Sequence, residues 1–192
     1  MKKKIVILFL LGLLCSVSVF GQTYSSITSD KEIYNFLNWL TKTEKKHSEE
    51  QKLKRKRIFY KIIPWDTANF VTKDTSVQYL SQDNMFLFYR FAGTDTLFKK
   101  ADRAFLFQQY TSIKDTIWHK RFSKSKLLKN KNQKHTNRYY YSIPLFSVNR
   151  NYVIIYIGYY CGNLCAYRGY YIFEKTGNKK WKYVTVVNSS MS

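Results

Sequence analysis

The chain has 192 residues, a formal net charge of +21 and three cysteines. This length predicts one domain with a sizeable core. The sequence has no G-x-S-x-G, H-E-x-x-H or phosphate-loop motif and no paired carboxylates on a predicted helix, which argues against the enzyme classes that these motifs mark. No cofactor and no metal site is predicted.

Residues 1–21 are typical of a secretory signal peptide. Three lysines precede an apolar run from Ile5 to Leu14, and this run is shorter than the roughly 20 residues that a membrane span needs. We therefore expect cleavage after Gly21 and a periplasmic or extracellular domain over residues 22–192. No second long apolar segment follows, so no membrane span is expected after cleavage.

The first part of this domain, residues 29–118, is predicted to be helical. Ser29 and Glu32 have the spacing of a capping box, and apolar residues recur behind them at helical spacing, which predicts a helix from Asp30 to Lys42. Two further helices are predicted, near residues 81–93 and over residues 97–110.

Residues 119–138 are predicted to form an exposed loop, because they carry eight positive charges and no acidic residue. The candidate ligand contacts in this loop are Lys124, Lys126, Lys129 and Lys131.

Residues 139–188 are predicted to form a β-meander. Segments rich in Tyr, Val, Ile and Phe alternate with short turns, and connections this short join antiparallel strands. The predicted strands are residues 139–148, 152–160, 167–175 and 181–187. The second is apolar on both faces from Val153 to Ile157, which predicts a central, covered strand. Pro144 cannot donate to a ladder, so the first strand is expected at an edge or with a bulge. The predicted fold class is α+β, with N-terminal helices packed on a C-terminal antiparallel four-stranded meander.

The C-terminal part contains SIPLFS at residues 142–147, CGNLC at residues 161–165, and Gly177 followed by Trp181-Lys182. This order resembles a group of uncharacterised secreted bacterial proteins whose pattern is S-x-P-x-F-S, C-G-x-L-C, G-x-W-K and a final W-I-S. The chain departs from that pattern at Ala166, where a second glycine is usual, and at Met191, where isoleucine is usual. The resemblance implies secretion and a similar C-terminal fold, and it brings no activity and no catalytic residues.

Cys161 and Cys165 are predicted to form a disulfide. Signal cleavage removes Cys15 and leaves an even pair in an oxidising compartment. A thiol redox motif has two intervening residues rather than three. A zinc site needs four ligands, and the histidines of the chain are not spaced to complete one. We expect the bridge to fix the register of adjacent strands.

The excess of positive charge predicts an anionic partner. After Asp115 the chain has fourteen Lys and Arg residues against the single acidic residue Glu174, a net +13, and such a field attracts polyanions. Eleven of the seventeen tyrosines follow Arg138, and tyrosine rings stack on sugars or bases. The predicted ligand-binding residues are the four loop lysines together with Arg168, Lys180 and Lys182.

The same residues have a second explanation. A chain rich in Lys, Asn, Ile, Tyr and Phe also follows from A+T-rich codons, and tyrosine is a good strand former. Composition alone therefore leaves open whether the charge is functional. The favoured hypothesis is a non-enzymatic exported domain that binds an anionic polymer or an envelope protein.

The alternative hypothesis is a secreted, nuclease-like hydrolase. His119 and His135 lie with Lys120 in the most basic stretch of the chain, where two histidines could act as acid and base. That stretch is predicted to be flexible, whereas catalytic groups must be held rigidly. This hypothesis therefore comes second.

Overall fold

The computed structural model describes residues 23–42, 57–65, 96–122, 125–129, 137–160 and 166–191. Within these ranges the helices are α1 (Asp30–Lys42) and α2 (Lys100–Thr111). The strands are β1 (Arg57–Phe59), β2 (Lys126–Leu128), β3 (Arg138–Tyr141), β4 (Leu145–Phe146), β5 (Tyr152–Tyr160), β6 (Ala166–Gly177) and β7 (Lys180–Met191).

Helix α1 begins with the capping box that the sequence predicts. The Glu32 amide donates to Ser29 Oγ at 3.3 Å, and the Ser29 amide donates to Glu32 Oε2 at 3.2 Å. The buried residues of α1 lie on one face, at helical spacing. They are Ile33, Phe36, Leu37 and Leu40. The predicted helix Asp30–Lys42 is confirmed.

Helix α2 confirms the helix predicted over residues 97–110, and it is tied to β4 by the buried side chain of Gln109. Gln109 Nε2 donates to the Phe146 carbonyl at 2.6 Å, and its Oε1 accepts from the Phe146 amide at 3.0 Å. The same Oε1 accepts from Thr28 Oγ1 at 2.8 Å. One side chain therefore joins α2, β4 and the N-terminal segment.

The seven strands of the described residues form one sheet in the order β2-β1-β3-β5-β6-β7, with β4 also paired to β5. Strand β1 is parallel to both β2 and β3. The remaining pairs are antiparallel. Strand β5 is the central, covered strand that its apolar sequence predicts.

The sheet has a core on each face, because successive residues of a strand point to opposite sides. On the α1 face, Phe36 packs in one cluster with Ile155 and Phe173. On the α2 face, Leu106 packs in a second cluster with Ile154.

The predicted fold class is wrong. The helices do not pack together on a four-stranded meander. They lie on opposite faces of a larger, mixed sheet. Strand β1 falls inside the segment predicted to be helical. It was missed because three residues within a lysine-rich run are too short to show a period of two.

The predicted exposed loop over residues 119–138 is also corrected. It contains β2, which forms an edge of the sheet, and Phe122 within it is 0% exposed.

The predicted strand over residues 139–148 is divided into β3 and β4, with Pro144 in the break between them. The helix predicted near residues 81–93 lies outside the described residues.

Candidate functional site

The candidate site lies on the α2 face, at the end of the sheet where β5 leads into β6. The register places Tyr140, Gly158, Arg168 and Ser190 side by side on β3, β5, β6 and β7. Residues in one such row point to the same face, and neighbouring strands lie about 4.8 Å apart. The row therefore brings together residues that are far apart in the chain.

A cavity of about 540 Å³ opens over this row. We call it the tyrosine–arginine cavity. It is lined by Ile63, Tyr140, Tyr156, Gly158, Tyr159, Tyr160, Ala166, Tyr167, Arg168 and Ser190. Gly158 lies at the floor of the cavity and has no side chain to occupy it. A Cβ there would be in van der Waals contact with Ile63 Cδ1 at 3.5 Å and with Tyr140 Cβ at 3.6 Å.

Three cations lie beside this cavity, on adjacent strands. Ile58 is aligned with both Leu127 and Tyr139, so Lys126, Arg57 and Arg138 occupy the next row across β2, β1 and β3. We call these three residues the basic row. Arg57 and Lys126 are exposed and Arg138 is half-buried. The row spans about 10 Å, from the spacing of strands in a sheet.

Arg138 is held by aromatic rings. Its guanidinium carbon lies 5.7 Å from the ring centroid of Phe59, 5.5 Å from that of Tyr140 and 4.9 Å from that of Tyr160. Arg138 Nε donates to Tyr140 Oη, and Nη1 is buried with no hydrogen-bond partner among the described residues. Cation–π contact stabilises such a charge, but an anion would compensate it better.

Arg168 adds a fourth positive charge at the cavity. Its Nε donates to Ser190 Oγ at 2.9 Å, and its side chain is exposed. This bond orients the guanidinium through Nε. The two terminal nitrogens lie on the other side of the planar group from that bond. Burial raises the pKa of the Tyr159 phenol above 10.0, so this tyrosine adds no negative charge at neutral pH.

The acidic side chains of the described residues are engaged elsewhere. Asp30 accepts from the amides of Thr23 and Tyr24. Glu32 binds Arg150 and Ser29, and Asp102 accepts from the amides of Lys99 and Val148. Asp115 binds His119, and Glu174 binds Lys182. None of these five contacts the basic row or Arg168 in the described part of the chain. Among the described residues, therefore, no carboxylate neutralises the positive charge of the site.

The structure brings together only some of the predicted ligand contacts. Lys126 lies in the basic row, Lys129 is exposed just after β2, and Arg168 lines the cavity. Lys182 pairs with Glu174 at 2.6 Å. Glu174 lies six residues along β6 from Arg168, so this ion pair is about 20 Å from Arg168. Lys180 is at that same far end. Lys124, Lys131, Cys161 and Cys165 lie outside the described residues.

Arg57 and Arg138 are not among the ligand-binding residues predicted from the sequence. Arg57 lies beside Arg138 because β1 pairs in parallel with β3. This pairing joins segments about eighty residues apart in the chain. The available signal was local: each arginine directly precedes a short aromatic or apolar run, Ile58-Phe59-Tyr60 or Tyr139-Tyr140-Tyr141.

The residues of the hydrolase hypothesis are only partly described. His119 Nε2 lies 2.6 Å from Asp115 Oδ2, and Asp115 Oδ1 accepts from the amides of Thr116 and Ile117. Burial raises the pKa of Asp115, but these bonds outweigh it and hold the pKa below 3.8. Lys120 is exposed beside them and His135 lies outside the described residues. The Tyr24 hydroxyl accepts from the His119 backbone amide at 2.9 Å. In the described part of the chain no hydroxyl or thiol is bonded to the His119 imidazole, so no nucleophile is assigned there.

A second cavity, of about 780 Å³, lies near Asp115. Its walls are largely apolar and include Trp65, Ile113 and Ile143, with Lys61 as the basic group. This cavity has a carboxylate, Asp115, beside its cation, whereas the described lining of the tyrosine–arginine cavity has a guanidinium and no carboxylate.

Comparison of the chain with protein-family models, curated proteins and solved structures finds no match. No helix of the described residues is long and apolar enough to cross a membrane. The same residues contain no group of three or more His, Cys, Asp and Glu side chains placed to hold a metal ion.

Proposed function

We propose that the protein binds a linear polyanion along the basic row and at the tyrosine–arginine cavity. One observation carries this proposal. Arg57, Lys126, Arg138 and Arg168 gather on one face of one end of the sheet, while the acidic groups of the described residues are all bonded elsewhere. Arginine suits this role because its planar fork binds phosphate, sulfate and carboxylate through paired hydrogen bonds.

The shape of the site supports a polymer rather than a single ion. The cations are spread over four strands, from β2 to β6, so one small anion cannot touch them all. A chain with repeated charges can, and it would release counterions as it binds.

The proposal also includes where the protein works. Residues 1–21 predict export, so the ligand would be an anionic polymer of the cell envelope or its surroundings. The predicted Cys161–Cys165 disulfide would join the ends of β5 and β6, next to the last register pair Tyr160 and Ala166. In this proposal the bridge holds the cavity end of the hairpin in register.

The test compares two triple variants with the same loss of charge. The first replaces Arg57, Lys126 and Arg168 by Gln. The control replaces Lys31, Lys175 and Lys180, which are exposed cations away from the site. With labelled polyphosphate as the probe, we expect the site variant to bind at least about tenfold more weakly and the control to change by less than about threefold. Equal weakening in both variants would show that only net charge matters and would overturn the proposal.

A further inference from the structure

The basic row and the tyrosine–arginine cavity share two aromatic rings. Tyr140 and Tyr160 contact the Arg138 guanidinium, and both also line the cavity. A polymer whose charges lie on the basic row therefore has its next unit at the cavity mouth. That unit meets tyrosine side chains as well as the Arg168 guanidinium.

The polar groups of the cavity discriminate between kinds of unit. The described residues that line it offer phenol groups, one guanidinium and the Ser190 hydroxyl, and none has a carboxylate or amide side chain. A sugar unit presents hydroxyls around its whole rim, and each buried hydroxyl needs a partner. A nucleobase is flat, stacks on tyrosine through either face and has few groups at its edge. The cavity fits a base better than a sugar.

We propose that the tyrosine–arginine cavity receives an unpaired base of a single-stranded nucleic acid whose phosphates lie on the basic row. The inference rests on the proposed function and adds the class of ligand. A base inside a duplex is stacked and paired and cannot enter a cavity without leaving the helix, so the strand must be single. Stacking on tyrosine makes the contact tolerant of sequence.

The test varies the ligand first, so that it does not depend on any variant folding. Fluorescence anisotropy at one salt concentration compares an oligothymidylate, an abasic oligomer of equal length and charge, a duplex of equal length and a sulfated polysaccharide. We expect the oligothymidylate to bind about tenfold or more tightly than the abasic oligomer, because stacking one base has an effect of this size. The oligothymidylate should also bind more tightly than the polysaccharide and than the duplex, although the duplex carries more phosphates.

The variant Gly158→Val then fills the cavity floor and leaves every charge in place. We expect it to lose the preference for the oligothymidylate and to keep its affinity for the abasic oligomer within about twofold. Equal binding of the oligothymidylate and abasic oligomer to wild-type protein would overturn this inference and leave polyanion binding standing. Tighter binding of the polysaccharide would assign the cavity to a sugar instead. Failure of all four probes to bind would overturn the proposed function itself.

Discussion

The guanidinium carbon of Arg138 lies 4.9 Å from the ring centroid of Tyr160, its register partner on the neighbouring strand. An arginine removed from solvent usually has a carboxylate partner, and Arg138 is half-buried. Here the described residues surround it with rings. The contact joins the basic row to the cavity, so it connects the two parts of the proposed site.

The variant Arg138→Met separates the role of this residue in stability from its role in binding. Methionine keeps most of the apolar contact with the rings and removes a half-buried charge that no carboxylate of the described residues contacts. We therefore expect the free energy of unfolding to stay within about 1 kcal/mol of wild type. Affinity for polyphosphate should fall by about threefold to tenfold. Urea unfolding and anisotropy measure the two effects. A loss of more than about 2 kcal/mol would identify Arg138 as structural.

The buried amide of Gln109 should matter more than any exposed polar group of α2. Gln109→Leu removes the partners of the Phe146 amide, the Phe146 carbonyl and Thr28, and leaving such groups unpaired costs roughly 2–4 kcal/mol in total. The adjacent Gln108 is exposed, so Gln108→Leu is the matched control and should change stability by less than about 0.5 kcal/mol. Similar values for the two variants in urea unfolding would contradict the role assigned to Gln109.

Two glycines of β6 should respond differently to alanine. A Cβ on Gly169 would lie 2.7 Å from Val186 Cγ2 and 3.3 Å from the backbone of Ser189, whereas a Cβ on Gly177 meets nothing within 4 Å. We expect Gly169→Ala to destabilise the fold by roughly 1–3 kcal/mol through overpacking between β6 and β7. Gly177→Ala should be close to neutral. Thermal unfolding of both variants checks this, and a neutral Gly169→Ala would mean that the two strands can move apart freely.

Acid should weaken the fold partly through Glu32. Burial raises the pKa of Glu32, but hydrogen bonds from Arg150 and Ser29 outweigh it and hold the pKa below 4.5. A carboxyl whose pKa is lower in the folded state stabilises fully above its unfolded pKa and loses this contribution as pH falls through the folded pKa. The loss should therefore begin below about pH 4.5.

The variant Glu32→Gln isolates this group from the other carboxyls. We expect it to be less stable than wild type at neutral pH by less than about 1 kcal/mol, because the side chain is 38% exposed and the ion pair is screened by solvent. Its stability should also fall less steeply below pH 4.5, and Arg150→Gln should show the same reduced slope. Parallel pH profiles for wild type and both variants would exclude this contribution.

Local signals in the sequence predicted those parts of the fold that form locally. The capping box of Ser29 and Glu32 and the helical spacing behind it located α1, and the continuous apolar run of β5 identified the central strand. Strands β1 and β2 were missed because each has three residues and is paired in parallel to a distant segment. A parallel pair of this kind has no connecting turn to reveal it.

The candidate site could be predicted only in part for the same reason. The charge excess and the tyrosine-rich strands pointed to Lys126 and Arg168 as separate candidates. Their position on one face, together with Arg57 and Arg138, follows from the register of strands that are not neighbours in the chain. Lys180 and Lys182 belong to the same excess of positive charge in the sequence. The register nevertheless places them at the end of β6 and β7 that is opposite to Arg168.

The salt dependence of polyphosphate binding tests the central claim most directly. The slope of the logarithm of the association constant against the logarithm of salt concentration reports how many anionic groups of the ligand the protein neutralises. Replacing Arg57, Lys126 and Arg168 by Gln should reduce the magnitude of this slope by roughly 2. Replacing Lys31, Lys175 and Lys180 should leave it unchanged. An identical slope for wild type and the first variant would contradict binding at the basic row.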